Sequence, residues 1–145
     1  MKEFYDATLR VRYAETDRMG VAYYGNFFTW FEVGRVELLR QLGFAYKQME
    51  EEDNSYIVVA EAHCRYLRPA RYDDLLRIRT RLSGARSRTL RFAYEILNDE
   101  TGERLAAGET THVVCDRHGR PKSLPAKYRK LFAPQAAPAA AHSRP

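Results

Sequence analysis

Residues 13–35, YAETDRMGVAYYGNFFTWFEVGR, hold the residue types on which catalysis could rest. Asp17 is an acid just ahead of a long apolar segment, and Gly20 and Gly25 permit tight backbone turns around it. A helix beginning there presents unsatisfied N–H groups and the positive end of its dipole. A carbonyl oxygen that gains negative charge in a transition state would be stabilised at such a mouth. A carboxylate beside it could attack the carbonyl carbon or activate a water. This equipment suits acyl transfer without Ser, Cys or metal, and a reactive acyl group such as a thioester better than an amide. A loop Asp before a helix also serves as a turn or cap residue, so a structural role stands beside the catalytic one.

Other chemistries are poorly supplied. His63 and Cys64 are adjacent on an extended segment, so their side chains point to opposite faces. His112 and Cys115 oppose each other for the same reason, and both Cys read as small buried hydrophobes. The four His (His63, His112, His118, His142) show no HxxxH or HExxH spacing, so no metal site is expected. GxSxG, Walker A and GxGxxG do not occur, and no cofactor is expected. The net charge of +5 is uneven: residues 65–91 hold nine Arg opposed only by Asp73 and Asp74. Arg forks suit phosphate, so the partner is nucleic acid, a small anion such as a coenzyme, or water over a solubilising surface.

The elements that must position Asp17 follow from periodicity. Leu9, Val11 and Tyr13 alternate with Arg10 and Arg12, the pattern of a half-buried strand. NFFTWFEVGRVELLRQLG (26–43) predicts a helix with Asn26 as N-cap and Gly43, followed by Phe44, as a left-handed stop. Phe27, Trp30, Phe31, Gly34, Leu38 and Leu42 form one stripe, and Phe28, Val33, Val36 and Leu39 widen it, so burial on most sides is expected. Tyr56, Val58, Ala60, Ala62, Cys64 and Tyr66 share one strand face, with Glu61, His63 and Arg65 opposite. Further strands fall at 76–82, 90–96 and about 105–115, joined by the hairpin connections 83–88 and 98–103. PAKYRKLF (125–132) reads as a short surface helix, and the Ala/Pro-rich residues 133–145 as a disordered tail beyond a domain of 1–132. The class is α+β, a long helix wrapped by an antiparallel sheet. Two unpatterned Cys predict a reducing compartment, the N-terminus has no apolar signal region, and no apolar run approaches the ~20 residues of a membrane span. A cytoplasmic location is expected.

The motif in 13–35 resembles the signature of the hot-dog-fold thioesterases, in the branch of 4-hydroxybenzoyl-CoA thioesterase and the YbgC-like acyl-CoA thioesterases. Tyr13, Thr16, Asp17, Gly20, Val21, Tyr23 and Phe27 occupy that signature. YLRPARYDDLLRIRT (66–80) and RSRTLRFAYEI (86–96) match later stretches of the branch. The resemblance implies a hot-dog fold, a long central helix wrapped by a five-stranded antiparallel sheet. It implies dimers, often paired into tetramers, with active sites at the dimer interface. Asp17 matches the catalytic carboxylate, nucleophile or general base depending on the member. The backbone N–H at or near Tyr24, with Gly25 beside it, matches the group that polarises the thioester carbonyl. Glu32 and Arg35 match an acidic-x-small-Arg helix pattern and read as a structural pair at i,i+3 spacing. Many YbgC-like members carry His where this chain has Tyr24, and the 4-hydroxybenzoyl branch carries Tyr. That leaves proton handling to Asp17 and water and tilts the acyl group toward the aromatic side.

The same resemblance makes coenzyme A, as part of the substrate, the phosphate-bearing partner. Arg86 and Arg88 in a hairpin connection are the candidates for it, with Arg68 and Arg71 behind them, while Arg77, Arg79 and Arg81 read as a solvated sheet face. The expected activity is hydrolysis of acyl-CoA to free acid and coenzyme A. A hot-dog dehydratase or hydratase is one alternative; it needs a positioned His, and only His63 could supply one. A basic nucleic-acid-binding domain is another, disfavoured because the regularly placed aromatics share faces with aliphatics rather than with Arg.

Overall fold

The computed structural model describes residues 2–43 and 45–135. The alternating stretches become strands β1 (Tyr5–Arg10), β2 (Tyr56–Tyr66), β3 (Leu75–Ala85), β4 (Thr89–Asn98) and β5 (Arg104–Cys115). The helices are α1 (Asn26–Leu42), α2 (Tyr46–Asp53) and α3 (Ala126–Gln135). Every strand pairs antiparallel in the order β1-β3-β4-β5-β2, so β1 and β2 are the edges of one sheet. The expected long helix against a five-stranded antiparallel sheet is the observed arrangement. Leu76, Ile78, Thr80 and Leu82 of β3 are buried beneath α1, whose Phe27, Trp30, Phe31, Gly34, Leu38 and Leu39 complete the core. Gly34 is where the helix comes closest to the sheet: a Cβ there would fall inside the radius of Thr80 Oγ1 and 2.7 Å from Ile78 Cγ2. The helix stops at Gly43, whose φ of 103° is a left-handed conformation natural to glycine. The expected contact of Phe44 lies outside the described residues.

Several expectations are corrected. The first strand ends at Arg10; Val11 is buried just beyond it, and Tyr13 begins a short 3-10 turn and is 78% exposed. The helix cap is Gly25, because the Asn26 side chain is drawn away to donate to the Glu15 carbonyl (2.8 Å). Burial of α1 is more one-sided than its composition suggests: Phe28 and Val33 are exposed, whereas Arg35 is buried. Arg35 makes no ion pair with Glu32. It donates instead to the hydroxyls of Tyr46 (3.3 Å) and Tyr94 (3.1 Å), which clamps α2 onto α1. Helix α2 is not expected from the sequence, since YKQMEEED buries only Met49 and carries little apolar periodicity. In β2 a bulge between Val59 and Glu61 breaks the expected face. Register places Ile57 and Val59 with Ala62, Cys64 and Tyr66 on the helix side, and Val58 with Glu61, His63 and Arg65 outside. Arg77 and Arg79 are half-buried and paired, Arg77 with Asp6 (3.1 Å) and Asp99 (2.6 Å) and Arg79 with Asp6 (3.4 Å).

Helix α3 buries Tyr128 and Phe132 in the core rather than lying on the surface. Its residues beyond 132 belong to the expected tail, of which 136–145 lie outside the described residues.

Candidate active site

The loop before α1 is a small hairpin. The Tyr23 N–H donates to the Glu15 carbonyl (2.8 Å), Thr16 bridges Ala22, and the Asp17 N–H donates to the Val21 carbonyl (2.8 Å). The tip closes with the Gly20 N–H on the Asp17 carbonyl (3.0 Å), which needs the φ of 81° that Gly20 supplies. Glu15 anchors the hairpin to the helix. Its carboxylate accepts from the Arg12 N–H (2.7 Å) and from Trp30 Nε1 (3.4 Å), while its carbonyl takes both Tyr23 and Asn26. The 67–74 connection is stitched alongside by the Ala22 N–H on the Ala70 carbonyl (2.7 Å) and a bridge from Val21 to Arg71.

This brings Asp17 and the mouth of α1 into one local structure. Asp17 is exposed at the hairpin tip, with Oδ1 accepting the Met19 N–H (2.9 Å) and Oδ2 accepting nothing among the described residues. Val21 lies opposite it, and only three residues, roughly 10 Å of extended chain, separate Val21 from Tyr24. The carbonyls of Tyr23, Tyr24 and Gly25 are taken up by the N–H groups of Asn26, Phe27 and Phe28 as the helix starts. The N–H groups of Tyr24 and Gly25 donate to no acceptor among the described residues. They are the free donors at the mouth. Aromatic rings crowd around them: Tyr24 against Tyr23 (centroids 4.8 Å apart) and Tyr66 (6.2 Å), and Tyr66 against Phe27 (5.0 Å).

The Arg candidates divide. Arg71 and Arg68 lie in the connection beside the hairpin, but Arg68 is spent on a surface pair with Glu103 (3.2 Å). Arg86 and Arg88 are exposed at the other end of β3, roughly 33 Å along an eleven-residue strand, so one chain does not bring them to Asp17. Two open hollows of about 360 Å³ lie on the sheet, one lined by Glu61, Ala62, His63, Glu109 and Thr111 and one at Asp6, Arg77 and Asp99; neither contains Asp17. His63, on the outer side of β2, is not placed to stand in for a His at the helix mouth. Among the described residues no His/Cys/Asp/Glu group could hold a metal, and no helix is long and apolar enough to cross a membrane. Glu15 and Tyr66 are the site residues that sequence reading missed. Both stand inside the matched motifs, yet only the fold shows what they hold.

Comparison with known proteins decides the family. The model of the thioesterase-like superfamily matches residues 11–138. The chain belongs to that superfamily. The acyl-CoA thioester hydrolase YbgC of Escherichia coli is 32% identical over 117 residues, covering 81% of this chain and 87% of its own. The 1,4-dihydroxy-2-naphthoyl-CoA hydrolase of Thermosynechococcus vestitus is 31% identical over 123 residues, covering 80% and 82%. The crystal structure of DHNA-CoA thioesterase from Staphylococcus aureus superposes with a TM-score of 0.85 at 28% identity, over 90% of this chain and 89% of that one. The fold is therefore the hot-dog fold, the branch is YbgC-like, and the chain is an enzyme of the thioesterase type.

Proposed function

We propose that this thioesterase hydrolyses acyl-CoA to a free acid and coenzyme A, using Asp17 and the mouth of α1. The observation that carries the reading is the pair of free N–H groups at Tyr24 and Gly25, held by one hairpin to an exposed carboxylate. The thioester oxygen sits on those N–H groups as it gains negative charge. Asp17 either attacks the carbonyl carbon or takes a proton from the attacking water; the tetrahedral intermediate then expels the coenzyme A thiolate, which is protonated on release, and on the first route water hydrolyses the Asp17–acyl anhydride to the free acid and the regenerated carboxylate. Single turnover in ¹⁸O-water identifies attack by Asp17 when label enters its carboxylate, which requires water to open the Asp17–acyl anhydride at the Asp17 carbon. The acyl group is aromatic. The tyrosine at 24 and the relatives named for 1,4-dihydroxy-2-naphthoyl-CoA support that choice.

The working unit is a dimer, in which β2 pairs with a second β2. This edge strand is long, and Val58 and Val59 stand about half exposed on its two faces. Antiparallel pairing would bring the partner's Tyr56 end beside this chain's Tyr66, and with it the partner's Arg88, whose carbonyl holds Val114 one strand inside that edge. The phosphates of coenzyme A would thus meet arginines of one subunit while the thioester meets Asp17 of the other. Cys64 and Cys115 are both free thiols, which fits the cytoplasm. The test is a panel of aromatic and aliphatic acyl-CoAs with free-thiol detection, run on the native chain and Asp17→Asn. Release from aromatic substrates by the native chain alone is expected; equal activity in Asp17→Asn would refute the site.

A further inference from the structure

We propose, building on the thioesterase reading above, that Tyr66 is a positioning residue for the oxyanion site, its hydroxyl holding the Tyr24–Gly25 peptide so that the Gly25 N–H faces the substrate. The Tyr66 hydroxyl donates to the Tyr24 carbonyl at 3.0 Å. That carbonyl also accepts the Phe27 N–H at 3.2 Å, so two donors from different elements fix it, one from β2 and one from α1. In a trans peptide the C=O and the N–H point in opposite directions. The N–H that shares this peptide belongs to Gly25, and it is one of the two free donors at the mouth. Pinning the carbonyl against the helix therefore aims the Gly25 N–H outward, toward the carbonyl oxygen of a bound thioester.

Two effects follow from the one contact. The first is orientation. Glycine is the residue that least resists rotation of its flanking peptide, and a Cβ on Gly25 would lie 2.8 Å from the half-exposed Tyr23 ring, which would have to shift. A mouth built on glycine needs an outside hold to keep one peptide orientation. The second is polarisation, since a donor on the C=O strengthens the N–H of the same amide as a donor. The Tyr66 ring is itself wedged edge-on against Phe27 (5.0 Å) and Tyr24 (6.2 Å), which fixes its reach. Burial, and after it the Cys64 thiol, pushes the Tyr66 hydroxyl up to about 12, so it remains a proton donor throughout the working pH range.

The test compares the full native chain with Tyr66→Phe, which keeps the ring against Phe27 and removes only the O–H. On an acyl-CoA that the native chain hydrolyses, Tyr66→Phe should lower kcat about tenfold and leave KM within about twofold, short of the hundredfold or more for losing an oxyanion donor itself. The pH profile should keep its shape. In the free protein the ¹⁵N resonance of Gly25 should move upfield, a change that loss of packing elsewhere would not confine to this residue. A kcat within about twofold of native, a loss carried by KM, a loss that tracks a fall in thermal midpoint, or an unmoved Gly25 resonance would each overturn the proposal. A native chain that releases no thiol from any acyl-CoA would instead refute the thioesterase reading, and the Gly25 resonance would still decide whether the clamp exists.

Discussion

Replacing Gly34 by Ala pits two known effects against each other. In an exposed helix interior the change stabilises by about 1 kcal/mol, because Ala loses less backbone entropy than Gly. Here the new methyl has no room. It would overlap Thr80 Oγ1 and lie 2.7 Å from Ile78 Cγ2, and both side chains are fully buried. Both are also β-branched and stiff at χ1, so neither can swing aside, and α1 must lift from the sheet. Overpacking of this kind costs typically 1–3 kcal/mol, and a clash this close belongs near the upper end. The net expectation for Gly34→Ala is a loss of about 1–2 kcal/mol, read as a shift in urea midpoint at constant m. Thr80→Ala supplies the control. It removes a buried hydroxyl that has no hydrogen-bond partner and opens the space the methyl needs. Combined with Gly34→Ala it should return about 1 kcal/mol or more as a coupling energy. A Gly34→Ala chain more stable than native, or strictly additive single variants, would refute the close-approach argument.

Further outcomes follow from the site and the core. Asp17→Asn should reduce kcat by about a hundredfold or more with KM little changed, measured by thiol release. Arg86→Ala with Arg88→Ala should raise KM for acyl-CoA and weaken its salt dependence; an unchanged KM removes these two from the site. Exchanging subunits between that double variant and Asp17→Asn should restore low-KM turnover, because a mixed dimer holds one site with both parts intact; no recovery would mean that the arginines act within one chain. Burial, and after it the Arg35 charge, depress the His112 imidazole from 6.5 to about 3, so the folded chain holds it neutral. The unfolded chain therefore binds the extra proton between those values. Stability should fall with acidification by up to about 1.4 kcal/mol per pH unit from near 6.5 downward, and His112→Gln should flatten that slope.

What could be read from the residues beforehand was whatever a local period or a local motif encodes. The 3.6-residue stripe of α1 and the two-residue alternation of β3 and β4 state which face is apolar, and the structure buries those faces. The tight loop that carries Asp17 ahead of the helix is legible for the same reason, since Gly20 and the acid are neighbours in sequence, whereas its pairing as a small hairpin is seen only in the structure. What escaped depends on pairs that the chain brings together from a distance. Arg35 has Glu32 one turn away, yet its guanidinium finds two phenols, Tyr46 from α2 and Tyr94 from β4, because the helix face that carries it turns inward. The bulge in β2 reverses which residues before it face α1, so that Ile57 and Val59 replace Tyr56 and Val58, and alternation cannot reveal it, since these four residues are all apolar or aromatic. Beyond the bulge Ala62, Cys64 and Tyr66 keep the face that alternation predicts, but no period shows that the Tyr66 hydroxyl meets the Tyr24 carbonyl at the mouth. Alternation assigns a side chain to a face but not to a partner, so the contact that steadies the backbone amide on which the chemistry depends emerges only when β2 and the start of α1 are brought together in space.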